Sequence, residues 1–137
     1  MIRRVLLGAA LGLILATGAS ASTQLPSFYG CRDSGAVIRP KTIVTACGDG
    51  NSMITRIIWS RWQTTSAAGK GAAHINDGSG QFHIYRGVHV VLSRPKTCSS
   101  HLRLFTRISW KFTKHKPAGE PRYTRVPAPF SAQPHCP

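Results

Sequence analysis

The stretch Leu-Arg-Leu-Phe-Thr-Arg-Ile-Ser-Trp-Lys-Phe-Thr at positions 102–113 decides the fold. Leu102, Leu104, Thr106, Ile108, Trp110 and Phe112 fall on one side of an extended chain, and Arg103, Phe105, Arg107, Ser109, Lys111 and Thr113 on the other. A period of two is the repeat of a strand with one buried side, so Ile108 and Trp110 are expected in a core and Arg107 and Lys111 in solvent. Val88, Val90 and Leu92 alternate with His89, Val91 and Ser93 in the same way. Upstream, 42–47 and 53–62 are β-branched and aromatic runs separated by Gly48-Asp49-Gly50-Asn51, which has the composition of a tight turn. These two runs predict a hairpin. Shorter strands are expected at 72–75 and 81–85, joined by Asn76-Asp77-Gly78-Ser79-Gly80. Several short strands with turn signals and no amphipathic helix predict an all-β domain, an antiparallel sandwich or small barrel, over 36–113.

The flanks differ in composition. Arg3 and Arg4 precede an unbroken apolar run at 5–16, and Ala19-Ser20-Ala21 has the small residues of a cleavage site, so 1–21 reads as a secretory signal peptide with the mature chain starting at Ser22. Later segments fall short of the ~20 apolar residues that a bilayer span needs. Residues 22–35 are expected to be irregular. The region 114–137 carries Pro117, Pro121, Pro127, Pro129, Pro134 and Pro137 and reads as a basic extended tail.

Export favours oxidised cysteines. Cys31, Cys47, Cys98 and Cys136 make an even set of four with no Cys-x-x-Cys pair, which points to two disulfides rather than a thiolate metal site. The nested connectivity, Cys47 to Cys98 and Cys31 to Cys136, closes the longest loops, worth roughly 4 and 4.7 kcal/mol against about 3 for a loop from Cys31 to Cys47. It is the preferred expectation, and the spacing leaves the other two connectivities open.

The chain resembles a family of small secreted actinobacterial proteins of uncharacterised function. The resemblance lies in Arg39-Pro40-Lys41-Thr42-Ile43-Val44-Thr45-Ala46-Cys47-Gly48-Asp49-Gly50-Asn51, Trp59-Ser60-Arg61-Trp62, Asn76-Asp77, Phe82-His83, Leu92-Ser93-Arg94-Pro95-Lys96-Thr97-Cys98 and Phe105-Thr106-Arg107. It spans about 39–113 and implies no activity. Relatives tend to carry two further cysteines after the Asn-Asp pair, where this chain has Gly78-Ser79-Gly80. The resemblance implies that those two pair with each other, leaving the four cysteines here to form the remaining bridges.

Function has to be argued from charge and from a few side-chain groupings. The sequence holds 18 Lys and Arg against four acids, a net charge of +14. Such an excess attracts polyanions, among them wall polymers, acidic lipids and extracellular nucleic acid, although it also serves solubility alone. Arg56, Arg61, Arg103, Arg107 and Lys111 occupy strand positions and are the candidate binding residues; Lys114, Lys116, Arg122 and Arg125 fall in the tail. Sequence-specific nucleic-acid motifs are absent. Trp59, Trp62 and Tyr85 offer stacking surfaces, against the plainer role of core packing.

His74, Asp77, His83 and His89 are the one grouping with catalytic or zinc-binding residue types. Their spacing matches no metal motif, and exposed or turn-capping histidines are the plainer reading. Asp49, Asn51, Asn76 and Asp77 have the oxygens of a Ca²⁺ shell, but the same residues are what tight turns require. Nucleophile motifs of the Gly-x-Ser-x-Gly kind are missing. The sequence therefore points to a monomeric, non-catalytic binding module for an anionic wall polymer or acidic surface, with no cofactor or metal. A histidine-dependent hydrolase of anionic substrates is the alternative, and a surface antigen or structural protein without a ligand is a third.

Overall fold

The computed structural model describes residues 24–99 and 101–128. Its six strands run β1 Ile43–Val44, β2 Ser52–Trp62, β3 Ser66–Asn76, β4 Phe82–Ser99, β5 Leu102–Phe112 and β6 Tyr123–Pro127. They form one antiparallel sheet in sequence order, so each strand pairs with its neighbour in the chain. No described residue is helical, and no described helix could cross a membrane.

The sheet curls into a half-barrel. In a flat sheet β1 and β6 would lie about 24 Å apart, five strand spacings. Here Ile43 of β1 and Ile54 of β2 share one core cluster with Ile108 and Phe112 of β5 and Ala128 just after β6. A cavity of about 310 Å³ marks the open seam, with Ile43, Val44, Thr45 and Cys47 on one side and Ile108, Val126 and Pro127 on the other. Bulges supply the bend, since an extra residue in one strand kinks it and raises its twist. The β2–β3 register shifts between Thr55 and Ile58, where Arg56 has φ 52°, and the β3–β4 register shifts between Gly71 and Ala72, opposite Gly87 at φ 75°.

The concave side holds the core. Trp62, Ala67, Leu92 and Ile108 are in register across β2 to β5, and all are buried. Trp62 meets Trp59 edge to face at 4.8 Å and Phe105 at 5.5 Å, and its indole N–H donates to the Pro26 carbonyl at 2.8 Å. Trp59 donates to Pro40, and Tyr85 packs edge to face on Phe112. Core packing is thus what these three aromatics do.

Several sequence expectations need correction. The strand 102–113 ends at Phe112, and its second side is not solvated throughout: Phe105 is 1% and Ser109 6% exposed. Phe105 has the parity of Arg107, yet its ring lies in the core against Trp62, in one cluster with Phe28, and the N-terminal segment pairs along the β5 edge where β6 stops, with Ser27 bridging Leu104 in parallel. Trp110 is partly rather than fully buried. Part of the expected tail is β6, where Ser109 pairs with Arg125 and Ile108 with Val126. The preferred disulfide connectivity is overturned, because Cys31 is bonded to Cys47 across a separation of 16 residues. That bridge ties the N-terminal segment to the β1–β2 turn and removes one partner from each nested pair. Cys98 is also disulfide-bonded. Cys136, the signal segment and the end of the tail lie outside the described residues.

Candidate functional site

Register determines which cations meet. On the outer, convex side, one row across the sheet reads Ile58, Lys70, His89, Lys111 and Tyr123 from β2 to β6. The next row reads Arg61, Ala68, Val91, Ser109 and Arg125, and a third brings Ser66, Ser93, Arg107 and Pro127 together. On the other side of the first row, Thr55, Ala72 and Arg86 align, and Arg56, Lys70 and Arg86 border a shallow hollow of about 280 Å³. Adjacent strands are about 4.8 Å apart, so Lys70 and Lys111 arise roughly 10 Å from each other. Arg56, Arg61, Lys70, Arg86, His89, Lys111 and Arg125 are exposed and Arg107 is half-buried.

The acids are elsewhere. Asp33 accepts from the Gly30 N–H at 2.7 Å, Asp49 accepts from Asn51, and Asp77 and Glu120 lie in loops. The single carboxylate–cation contact among the described residues joins Asp77 to His83 at 2.9 Å. No carboxylate neutralises the outer face, so its field is the sum of its cations. At its β6 edge the Arg125 Nε donates to the Tyr123 hydroxyl at 2.9 Å, and the guanidinium lies 5.5 Å from the ring centroid. A hydrogen bond with Ser109, then the bond and charge of Arg125, hold the Tyr123 phenol below its ordinary value.

Of the five candidate cations, Arg61, Arg107 and Lys111 stand on this face, and Arg56 reaches its margin through the β2 bulge. Arg103 does not join them. Its Nη1 donates to the Gln24 carbonyl at 3.0 Å, which fastens the N-terminal segment to β5. Sequence reasoning missed Lys70 because the Ala- and Gly-rich β3 has weak alternation, missed Arg86 because it shares the parity of buried Val88 until the register shift at Gly87 turns it outward, and placed Arg125 in the tail.

The histidines do not converge. His83 and His74 occupy successive register positions opposite Ile75 and Ile84, and therefore point to opposite sides of the sheet, while His89 lies six residues further along β4. No group of three potential metal ligands occurs among the described residues. Asp77 and His83 do meet, in a cleft of about 390 Å³ shared with Tyr85, Pro117 and Glu120. The Asp77 carboxyl is lowered to about 2 by the Ser79 hydroxyl, by the Ser79 backbone N–H and then by His83. Of the oxygens weighed for calcium, those of Asp49, Asp77 and Asn76 serve their own turns: Asp49 accepts from Asn51 through both oxygens, Asp77 from Ser79, and Asn76 Oδ1 from Gly78 and Gly80.

No family model, curated protein or solved structure matches the chain.

Proposed function

We propose that this chain is a secreted, monomeric, non-catalytic module that binds anionic polymers of the cell envelope through the outer face of its sheet. One observation carries the reading: Arg61, Lys70, Arg107, Lys111 and Arg125 share a face that holds no acid, in a chain of net charge +14. A broad convex surface suits a flexible polyanion lying across the strands better than a small molecule needing enclosure. Resemblance to secreted actinobacterial proteins and a disulfide-bonded fold agree with export from Ser22 onward. Binding should be driven by counterion release, so the log of the affinity for immobilised glycerol-phosphate polymer falls linearly as log salt rises. Replacing Lys70, Arg107 and Lys111 together by Gln should flatten that slope. Retention that ignores ionic strength, or a triple variant with the parent slope, overturns the proposal.

A second reading, hydrolysis of an anionic substrate, draws on the Asp77–His83 pair alone, since an imidazole oriented by a carboxylate is a general base. A phosphodiesterase panel comparing the parent with His83→Ala tests it. Equal rates dismiss it.

A further inference from the structure

The outer face is graded from one end to the other. At the β3–β4 turn it is apolar: Phe82 is 46% and Ile84 49% exposed, two residues apart on the same side of β4 and thus about 7 Å from each other. The next residue on that side is Arg86. Arg56 and Lys70 border Arg86 on one flank, and on the other a hollow of about 370 Å³ lies between Ile84, Arg86, Lys114 and His115. The tip is also well defined, because Asn76 Oδ1 accepts from the N–H groups of both Gly78 and Gly80. Its one acid, Asp77, faces the other side of the sheet, where it is engaged by His83.

We propose that the β3–β4 end of the sheet docks on an anionic lipid bilayer, with Phe82 and Ile84 entering the interface and Arg56, Lys70, Arg86 and Lys114 contacting the headgroups. A dissolved polyanion offers no apolar phase for two half-exposed large side chains, whereas a bilayer surface offers that phase directly beneath a layer of negative charge. Apolar residues at the tip with cations set back along the strand match that layering in order and in sign. The hollow beside Ile84 is where a headgroup phosphate sits while the tip rests among the acyl ends nearest the surface. This surface uses different residues from those that carry the polymer reading, apart from Lys70.

The test uses the oxidised chain from Ser22, which contains every described residue, sedimented with phosphatidylglycerol–phosphatidylcholine vesicles and with phosphatidylcholine vesicles alone. Binding is expected to the anionic vesicles only. Phe82→Ser and Ile84→Ser should each weaken it about fivefold, the share of apolar burial that a half-exposed side chain still has to gain. Arg86→Gln should also weaken it about fivefold. In Phe82→Trp, brominated lipid should quench the new indole. Both serine variants should keep full retention on glycerol-phosphate polymer, which shows them folded and separates this surface from the polymer face. Equal binding to neutral vesicles, no binding to anionic ones, or anionic binding that the serine variants leave unchanged overturns the proposal. So does a concentration-dependent dimer that Phe82→Ser abolishes, which would give the patch to a second copy of the chain.

Discussion

Replacing Gly71 by alanine adds one methyl group where the backbone of β2 crowds β3. A Cβ there would stand 2.7 Å from the Thr55 carbonyl oxygen, 3.0 Å from Ile54 Cγ2 and 3.1 Å from Ile57 Cγ1. The first contact is with backbone and cannot be relieved by turning a side chain. Gly71 is not among the residues with positive φ, so the penalty comes from crowding and not from the alanine backbone. Overpacking of this kind costs about 1–3 kcal/mol. Alanine also restricts the unfolded chain, which gives back about 0.4–1 kcal/mol. The expected net loss is about 1–2 kcal/mol, a fall in Tm of roughly 5–10 °C for a domain of this size. Urea denaturation followed by the fluorescence of Trp59, Trp62 and Trp110 measures it. Gly35→Ala is the matched control, because a Cβ at Gly35 meets nothing within 4 Å, and it should be neutral or slightly stabilising. Equal midpoints for the two variants would refute the claim that β3 glycines let the bulged β2 close onto the sheet.

Trp62→Phe should cost about 2–4 kcal/mol, since it strands the buried Pro26 carbonyl and leaves a void, while Ile58→Ala, at 78% exposure, should stay within about 0.5 kcal/mol; comparable melting curves would mean that the two sides of β2 are misassigned. Removing the bridge with Cys31→Ser and Cys47→Ser, which opens a loop of separation 16, should lower stability by about 3 kcal/mol. Peptide mapping without reduction should recover Cys31 joined to Cys47 and Cys98 joined to Cys136, the remaining cysteine of the sequence; a Cys47–Cys98 peptide would contradict the fold. The Asp77 carboxyl sits at about 2 in the folded chain against an ordinary 3.8, so its contribution is complete above 3.8 and disappears as pH falls towards 2. Between pH 4 and pH 2 the parent should therefore lose more Tm than Asp77→Asn, and parallel losses would count against the turn assignment.

The elements that could be read from sequence are those whose alternation is strong over a full strand. β5 carries Leu104, Ile108 and Phe112 on one side, and all are buried; the β1–β2 hairpin announces itself through Asp49-Gly50, with Gly50 at φ 71°. What could not be read is what a second segment does to a side once it is laid over it. Phe105 has the parity of Arg107 and looks solvated, yet its ring lies in the core against Trp62 with Phe28 of the N-terminal segment in the same cluster, and that segment is placed by a parallel bridge between residues 77 positions apart. The disulfide misreading has the same origin. A bridge that closes a long loop removes more entropy from the unfolded chain and so stabilises the fold more, but the bridge that forms is the one whose ends the fold brings together, and the N-terminal segment passes the β1–β2 turn.

The candidate site was half legible for a related reason. Lys111 and Arg107 could be assigned to one side because their own strand alternates, but the partners that make a surface of them come from cross-strand register, which no single strand contains. Lys70 meets Lys111 only because both pair with His89 on the intervening strand, and Arg125 joins the face only because Ser109 is its partner. A shift of one residue in β3 against β4 would turn Lys70 into the core, where Gly69 and Gly71 now face Val90 and Val88. Burying that ammonium among Val88, Val90 and Leu92 without a partner would be prohibitive. The same apolar pattern that selects the register therefore gathers the cations: strands aligned to put Leu92, Ile108 and Trp62 inside must put Lys70, Lys111, Arg61 and Arg125 outside together. Scattered along the sequence, these charges read as composition, and folding into one antiparallel sheet converts them into a surface.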